Sequence, residues 1–151
     1  MYKKQTKSED ETLNFGASIG ENVFAGMLIL LFGDLGSGKT HFTKGVARGM
    51  HIHDTVSSPT YTILFEHTGN IPLYHFDLYR ITDEDDFFEI GGYEYLAKKG
   101  VSIIEWAERL DWEEYDRLEV HIEIVDDNTR EIRMAPYGQR YEEWLKNYEQ
   151  R

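Results

Sequence analysis

Apolar residues fall along this chain in short, sharply bounded runs. The clearest is Met27–Phe32 (MLILLF), continuous and followed at once by glycine. Such a run predicts a strand buried on both faces, as in a parallel sheet flanked by helices. Val101–Glu105 has the same character and predicts another. Tyr61–Glu66 and Ile71–Asp77 predict two strands joined by a turn at Thr68-Gly69-Asn70. Leu118–Val125 and Arg130–Ala135 predict a second hairpin, turning about Asp126–Thr129.

The helices are marked by their ends and breaks. Ser8–Glu11 reads as a capping box opening a helix whose buried stripe would be Leu13, Ala17, Val23 and Phe24. Gly16 and Gly20 weigh against that helix. Lys39–Gly49 predicts a helix closed by its glycine. Thr82–Ala97 predicts helix interrupted at Gly91-Gly92, and Tyr141–Tyr148 a closing helix. The succession predicts an α/β fold, a single domain over residues 1–151 with a mixed sheet, antiparallel hairpins and flanking helices.

Chemistry enters between the first strand and the second helix. Gly33-Asp34-Leu35-Gly36-Ser37-Gly38-Lys39-Thr40 matches G-x-x-x-x-G-K-[ST] at every position. At this composition, roughly 0.006 matches are expected by chance in a chain of this length. The strand before and the helix after are the context that a phosphate-binding loop (P-loop) requires. Its glycines permit backbone turns that aim successive N–H groups inward, and the helix N-terminus adds partial positive charge. Lys39 is expected to reach the β- and γ-phosphates of a nucleoside triphosphate, and the Thr40 hydroxyl to ligate Mg²⁺.

Such a site needs an acid for the cation, usually at the end of a neighbouring strand. Asp77 and Glu105 occupy such ends. The hydroxyl-rich segment Val56–Thr62 offers Thr60 or Thr62 as a switch residue or, equally, an ordinary turn. Trp106 could line a nucleotide or partner surface, or pack in the core. His51 and His53 have no third ligand nearby and do not make a zinc site.

Charge narrows the field. Sixteen basic against 28 acidic residues give a net charge of −12 in 151 residues. That balance argues against a stand-alone nucleic-acid gripper and against an anionic membrane surface. It leaves room for a local phosphate nest on an acidic protein. There is no cysteine, so disulfides, thiolate metal sites and cysteine nucleophiles are excluded. The first thirty residues show no secretory pattern, and the longest apolar run is far below the ~18 residues that span a bilayer. A cytoplasmic protein is expected.

Four segments together, GDLGSGKT, VSSPTYT, HFDLYR and IIEWAER, resemble the bacterial TsaE family, also called YjeE-type ATPases. The resemblance runs from about Glu9 to Arg133. It implies a small Mg²⁺-dependent ATPase supporting threonylcarbamoyl transfer to adenosine 37 of tRNAs that read ANN codons. It further implies action with the transferase TsaD and its paralogue TsaB, enabling turnover of that complex, with no strong direct grip on nucleic acid. By this resemblance Lys39, Asp77 and Glu105 serve hydrolysis, and Thr40 and Glu105 hold Mg²⁺. Glu9, Leu35, Gly36, Ser37, Gly38, Lys39, Thr40 and Arg130 bind the nucleotide, and Trp106 is a functional tryptophan. Two positions depart from the family's G-D-L-G-A-G-K-T-T: Ser37 for alanine and His41 for the second threonine.

Other classes stay open at this level. A small-molecule kinase would want a lid with several arginines, whereas Arg80, Arg109 and Arg117 are scattered. A GTPase switch commonly carries N-K-x-D, which does not occur here. A nucleotide-dependent scaffold would bind without turnover.

Overall fold

The run after Met27 forms a central strand. In the computed structural model, which describes residues 1–53 and 64–151, β2 (Leu28–Phe32) is flanked on both sides by parallel neighbours, β5 (Val101–Glu105) and β6 (Arg117–Ile124). Beyond β5 lie β4 (Leu73–Asp77), parallel to it, and β3 (Leu64–His67), antiparallel to β4. Beyond β6 lie β7 (Arg130–Tyr137) and β1 (Tyr2–Thr6), each antiparallel to its neighbour. One sheet results, ordered β1-β7-β6-β2-β5-β4-β3. Its parallel centre and antiparallel margins match the mixed sheet expected from the sequence.

Alternation along the strands feeds two cores. Ile29, Leu31, Val101, Ile103 and Val120 face one side, where Phe15, Ile19, Phe42, Val46, Tyr141 and Leu145 cover them. Those six come from α1 (Glu9–Gly20), α2 (Lys39–Gly49) and α5 (Gln139–Glu149). Leu28, Leu30, Phe76 and Ile104 face the other side, under Phe87, Trp112 and neighbouring aromatics. Phe87 belongs to α3 (Glu84–Glu89), which a turn through Gly91 separates from α4 (Gly92–Leu96). The break expected at Gly91-Gly92 is therefore real, with Gly91 left-handed at φ 78°.

Three expectations are corrected. The buried stripe of α1 is Thr12, Phe15, Gly16, Ile19 and Gly20. Leu13 and Ala17 are half-buried, and Val23 and Phe24 lie past the helix end. The reason is that α1 meets α2 through glycine. A Cβ on Gly16 would strike the Phe42 carbonyl, one on Gly20 the Val46 carbonyl, one on Gly45 that of Leu13, and one on Gly49 that of Ala17. Glycines that weigh against a helix in isolation are here the surface along which two helices touch backbone to backbone. Gly49 accordingly does not turn the chain at the end of α2; His51 takes the left-handed conformation instead, φ 60°.

The capping box forms on its serine side, while Glu11 reaches past Ser8 to the residue before it. Ser8 Oγ accepts from the Glu11 N–H at 3.1 Å, and Glu11 Oε1 accepts from the Lys7 N–H at 3.3 Å. The strand β1 just before it was not expected. Its middle residues, Lys3, Lys4 and Gln5, are exposed, and only Tyr2 and Thr6 turn inward. Lysines on an edge strand keep it from pairing further. Among the described residues no helix is long and apolar enough to cross a membrane. Thr60 and Thr62 lie outside the described residues.

Candidate active site

The parallel registry brings three strand ends to one edge of the sheet. β2 ends at Phe32 and runs into the P-loop, while Leu31 stands opposite Glu105 and Asp77 opposite Glu105 on the other side. Ligands of α/β sheets commonly settle outside such carboxyl ends. A cleft of about 650 Å³ opens there.

One wall is backbone. Gly36 and Gly38 are left-handed, at φ 80° and 109°, so the loop curls back before α2 begins. Gly33 serves space rather than torsion: a Cβ there would lie 2.6 Å from Ser37 Oγ and 2.7 Å from the Ile122 carbonyl. The helices α1 and α3 are capped by the side chains of Ser8 and Asp83, whereas α2 has no side-chain cap. Its positive end opens into the cleft. Arg130 braces this wall from behind. Its guanidinium donates to the carbonyls of Ser37 at 3.0 Å and Gly36 at 3.3 Å, and to Asp126 at 2.8 Å. The loop's carbonyls are thus tied to the β6–β7 turn.

The other wall is side chain. Glu105 is buried at 2% exposure and hydrogen-bonded to the fully buried His75. Asp77 accepts the Tyr79 N–H at 3.0 Å. Burial pushes the Asp77 carboxyl above its ordinary value, with that hydrogen bond pulling back and the Glu105 charge pushing further up. Trp106 sits left-handed at φ 58°, a conformation costly for so bulky a residue. The turn swings its indole under Lys39, whose Nζ lies 3.5 Å from the ring centroid.

Lys39 spans the two walls. Its Nζ donates to the Gly33 carbonyl at 2.6 Å. Burial lowers its pKa, while Glu105, Glu108, Asp77 and Asp34 pull it back up. Across the mouth, Glu9 of α1 reaches His41 of α2 at 3.3 Å, so one of the two residues that depart from the family pattern meets a residue also named by that resemblance.

Eleven of the residues singled out from sequence converge on this cleft: Glu9, Leu35, Gly36, Ser37, Gly38, Lys39, Thr40, Asp77, Glu105, Trp106 and Arg130. Ser8 at the N-cap of α1, Asp10 and Thr12 within it, Tyr79, and Asp127 and Asn128 of the hairpin turn also line it. Tyr79 lies in the HFDLYR segment, but the other five carried no motif signal. The only clue was position: a capping box and an acidic turn, each read for its local geometry alone.

The chain has relatives over nearly its whole length. Residues 6–132 match the family described as threonylcarbamoyl adenosine biosynthesis protein TsaE. The tRNA threonylcarbamoyladenosine biosynthesis protein TsaE of Treponema pallidum is 38% identical, covering 86% of this chain and 97% of that one. Its namesake in Bacillus subtilis is 39% identical, over 94% and 90%. The crystal structure of Bacillus subtilis YdiB shares the fold with a TM-score of 0.78 at 33% identity, covering 99% of this chain and 94% of that one. A cleft built on a P-loop, relatives alike over nearly their whole length and a shared sheet converge on one assignment: the chain belongs to the TsaE family of threonylcarbamoyl adenosine biosynthesis proteins.

Proposed function

We propose that this chain binds ATP with magnesium in the cleft and hydrolyses it in support of threonylcarbamoyl-adenosine formation on tRNA, in the cytoplasm, acting with TsaD and TsaB. One observation carries the reading. The uncapped N-terminus of α2, the left-handed Gly36 and Gly38, and the buried Lys39 form a local positive nest in a cleft otherwise lined by acids, on a chain of net charge −12. A polyanion is the ligand that such a pocket suits.

The residues divide the work. Backbone N–H groups of the loop hold the phosphates, and Lys39 exchanges the Gly33 carbonyl for phosphate oxygens. The Thr40 hydroxyl and the Glu105 carboxylate are hard oxygen donors that suit magnesium. Among the described residues no three acidic or histidine side chains form a metal cluster. Thr40 and Glu105 alone would leave most of the sphere to phosphate oxygens and water, as magnesium prefers. When bound, magnesium neutralises charge on the phosphate oxygens. Asp77, made more basic by its burial, is placed to orient the attacking water and take its proton. Ser8–Thr12 and the Asp127–Asn128 turn flank the nucleoside end. Arg130 is the one arginine lining the described cleft, and it is committed to loop carbonyls. That argues against a kinase lid and for slow hydrolysis until a partner contributes.

Calorimetric titration tests the site. Wild-type protein should bind ATP in the presence of magnesium, and Lys39→Ala should lose at least about 1.5–3 kcal/mol, the worth of a hydrogen bond to a charged group. Equal affinities would refute the assignment. Depletion followed by tRNA nucleoside analysis tests the pathway; undiminished threonylcarbamoyl-adenosine would refute it.

A further inference from the structure

The strand registry places a histidine where no step above uses one. His75 on β4 pairs with Ile103 of β5, and Asp77 pairs with Glu105 two residues on. Directly paired residues share a face, so His75, Asp77, Ile103 and Glu105 all project to the side of the sheet covered by α2. His75 is then the diagonal neighbour of Glu105, within reach of a long side chain. Both are buried, His75 at 0% and Glu105 at 2% exposure, and His75 Nε2 is hydrogen-bonded to Glu105 Oε2. The opposite nitrogen, Nδ1, is buried without a hydrogen-bond partner. The ring is therefore tied on one side only, and that tie is the carboxylate.

Glu105 has cause to need it. Its directly opposed neighbour is Asp77, another acid, and like charges across a strand pair repel. Nothing else described donates a hydrogen bond to its side chain. A buried carboxylate with no donor is costly and free to swing. With Oε2 committed to His75, Oε1 is the oxygen left for the cleft that Glu105 lines.

We propose that His75 is a positioning residue for Glu105, fixing one carboxylate oxygen so that the other meets the divalent cation accompanying a triphosphate. The inference rests on the magnesium–ATP reading above. Donors behind a metal-binding carboxylate commonly set affinity by 10–100-fold.

The experiment is calorimetric ATP binding by the full chain over a magnesium series, with ATP turnover measured in parallel. In His75→Leu, half-maximal enhancement should need about 10-fold more magnesium, while ATP affinity without magnesium stays within about 2-fold. His75→Gln carries an amide N–H at about the reach of Nε2 and should recover most of the loss, whereas His75→Asn stops a methylene short and should not. If Leu prevents folding, the comparison of Gln with Asn decides alone. Equal magnesium requirements in Gln, Asn and wild type would overturn the proposal. So would failure of every variant to melt cooperatively, which would make His75 a packing residue. If wild-type ATP binding ignores magnesium, the reading of the site fails instead, and the two failures are distinguishable.

Discussion

The two walls of the cleft are made of different material. Residues 33–40 build one from main chain, contiguous in sequence and braced by Arg130. Asp77 and Glu105, at the ends of separate strands, and Trp106 just beyond build the other from side chains, with Glu105 held by burial and by His75. The first wall depends on which residues lack a side chain. The second depends on which ones carry a charge. Substitutions should therefore damage them in opposite ways: the backbone wall through shape and stability, the side-chain wall through chemistry with the fold intact.

The largest expected effect is on the chemical wall. Glu105→Gln keeps an oxygen for His75 to bond but removes the charge. ATP turnover should fall by about 100-fold or more, with cooperative melting preserved. Turnover within a factor of three of wild type would dissolve the distinction between the walls. Next comes Gly33→Ala on the backbone wall. Its Cβ would press on the Ile122 carbonyl as well as on Ser37 Oγ, and a carbonyl in the sheet cannot step aside. Stability should drop by about 1–3 kcal/mol, read by urea denaturation.

Asp77→Asn sharpens the contrast by moving stability the other way. The Asp77 pKa is raised above its ordinary 3.8, so the folded chain holds this proton more tightly than the unfolded one. The protonated form favours the fold below that ordinary value, and the advantage disappears as pH rises through the raised one. At neutral pH the wild type carries the cost of a buried charge that asparagine lacks, while the acceptor for Tyr79 N–H survives. Asp77→Asn should gain roughly 0.5–2 kcal/mol at pH 7 and lose turnover. The gain should shrink as melts are taken toward pH 4, and a constant difference across that range would contradict the argument. The smallest effect is expected for Ser37→Ala. Ser37 Oγ is buried without a hydrogen-bond partner, and what the loop uses at this position is main chain. ATP affinity should stay within about 2-fold, a change of about 0.4 kcal/mol or less; a larger loss would show the hydroxyl taking part.

The same contrast explains what the sequence disclosed. A contiguous backbone wall leaves a motif, and Gly33–Thr40 could be read in full. The acids could be nominated because Asp77 and Glu105 end apolar runs, yet nothing local shows that they face each other. Strand order depends on how crossovers pack, and no short segment records that. Nothing local marks His75, because its partner lies thirty positions away. β1 escaped because an edge strand with three exposed polar residues has almost no apolar signature. Gly16 and Gly20 weigh against a helix on propensity because propensity is local and their partners, Phe42 and Val46, are not.

That glycine seam has a consequence for how the cleft can behave. Side chains answer a ligand by changing rotamer, but Gly16, Gly20, Gly45 and Gly49 have none to change. The N-termini of α1 and α2, carrying Glu9 on one and Lys39 on the other, are thereby set at a distance fixed by main chain alone. The interval across the cleft between Glu9 and Lys39 works as a gauge block. The strand-end acids and the Tyr79–Trp106 corner thus face a wall whose spacing no rotamer change can alter.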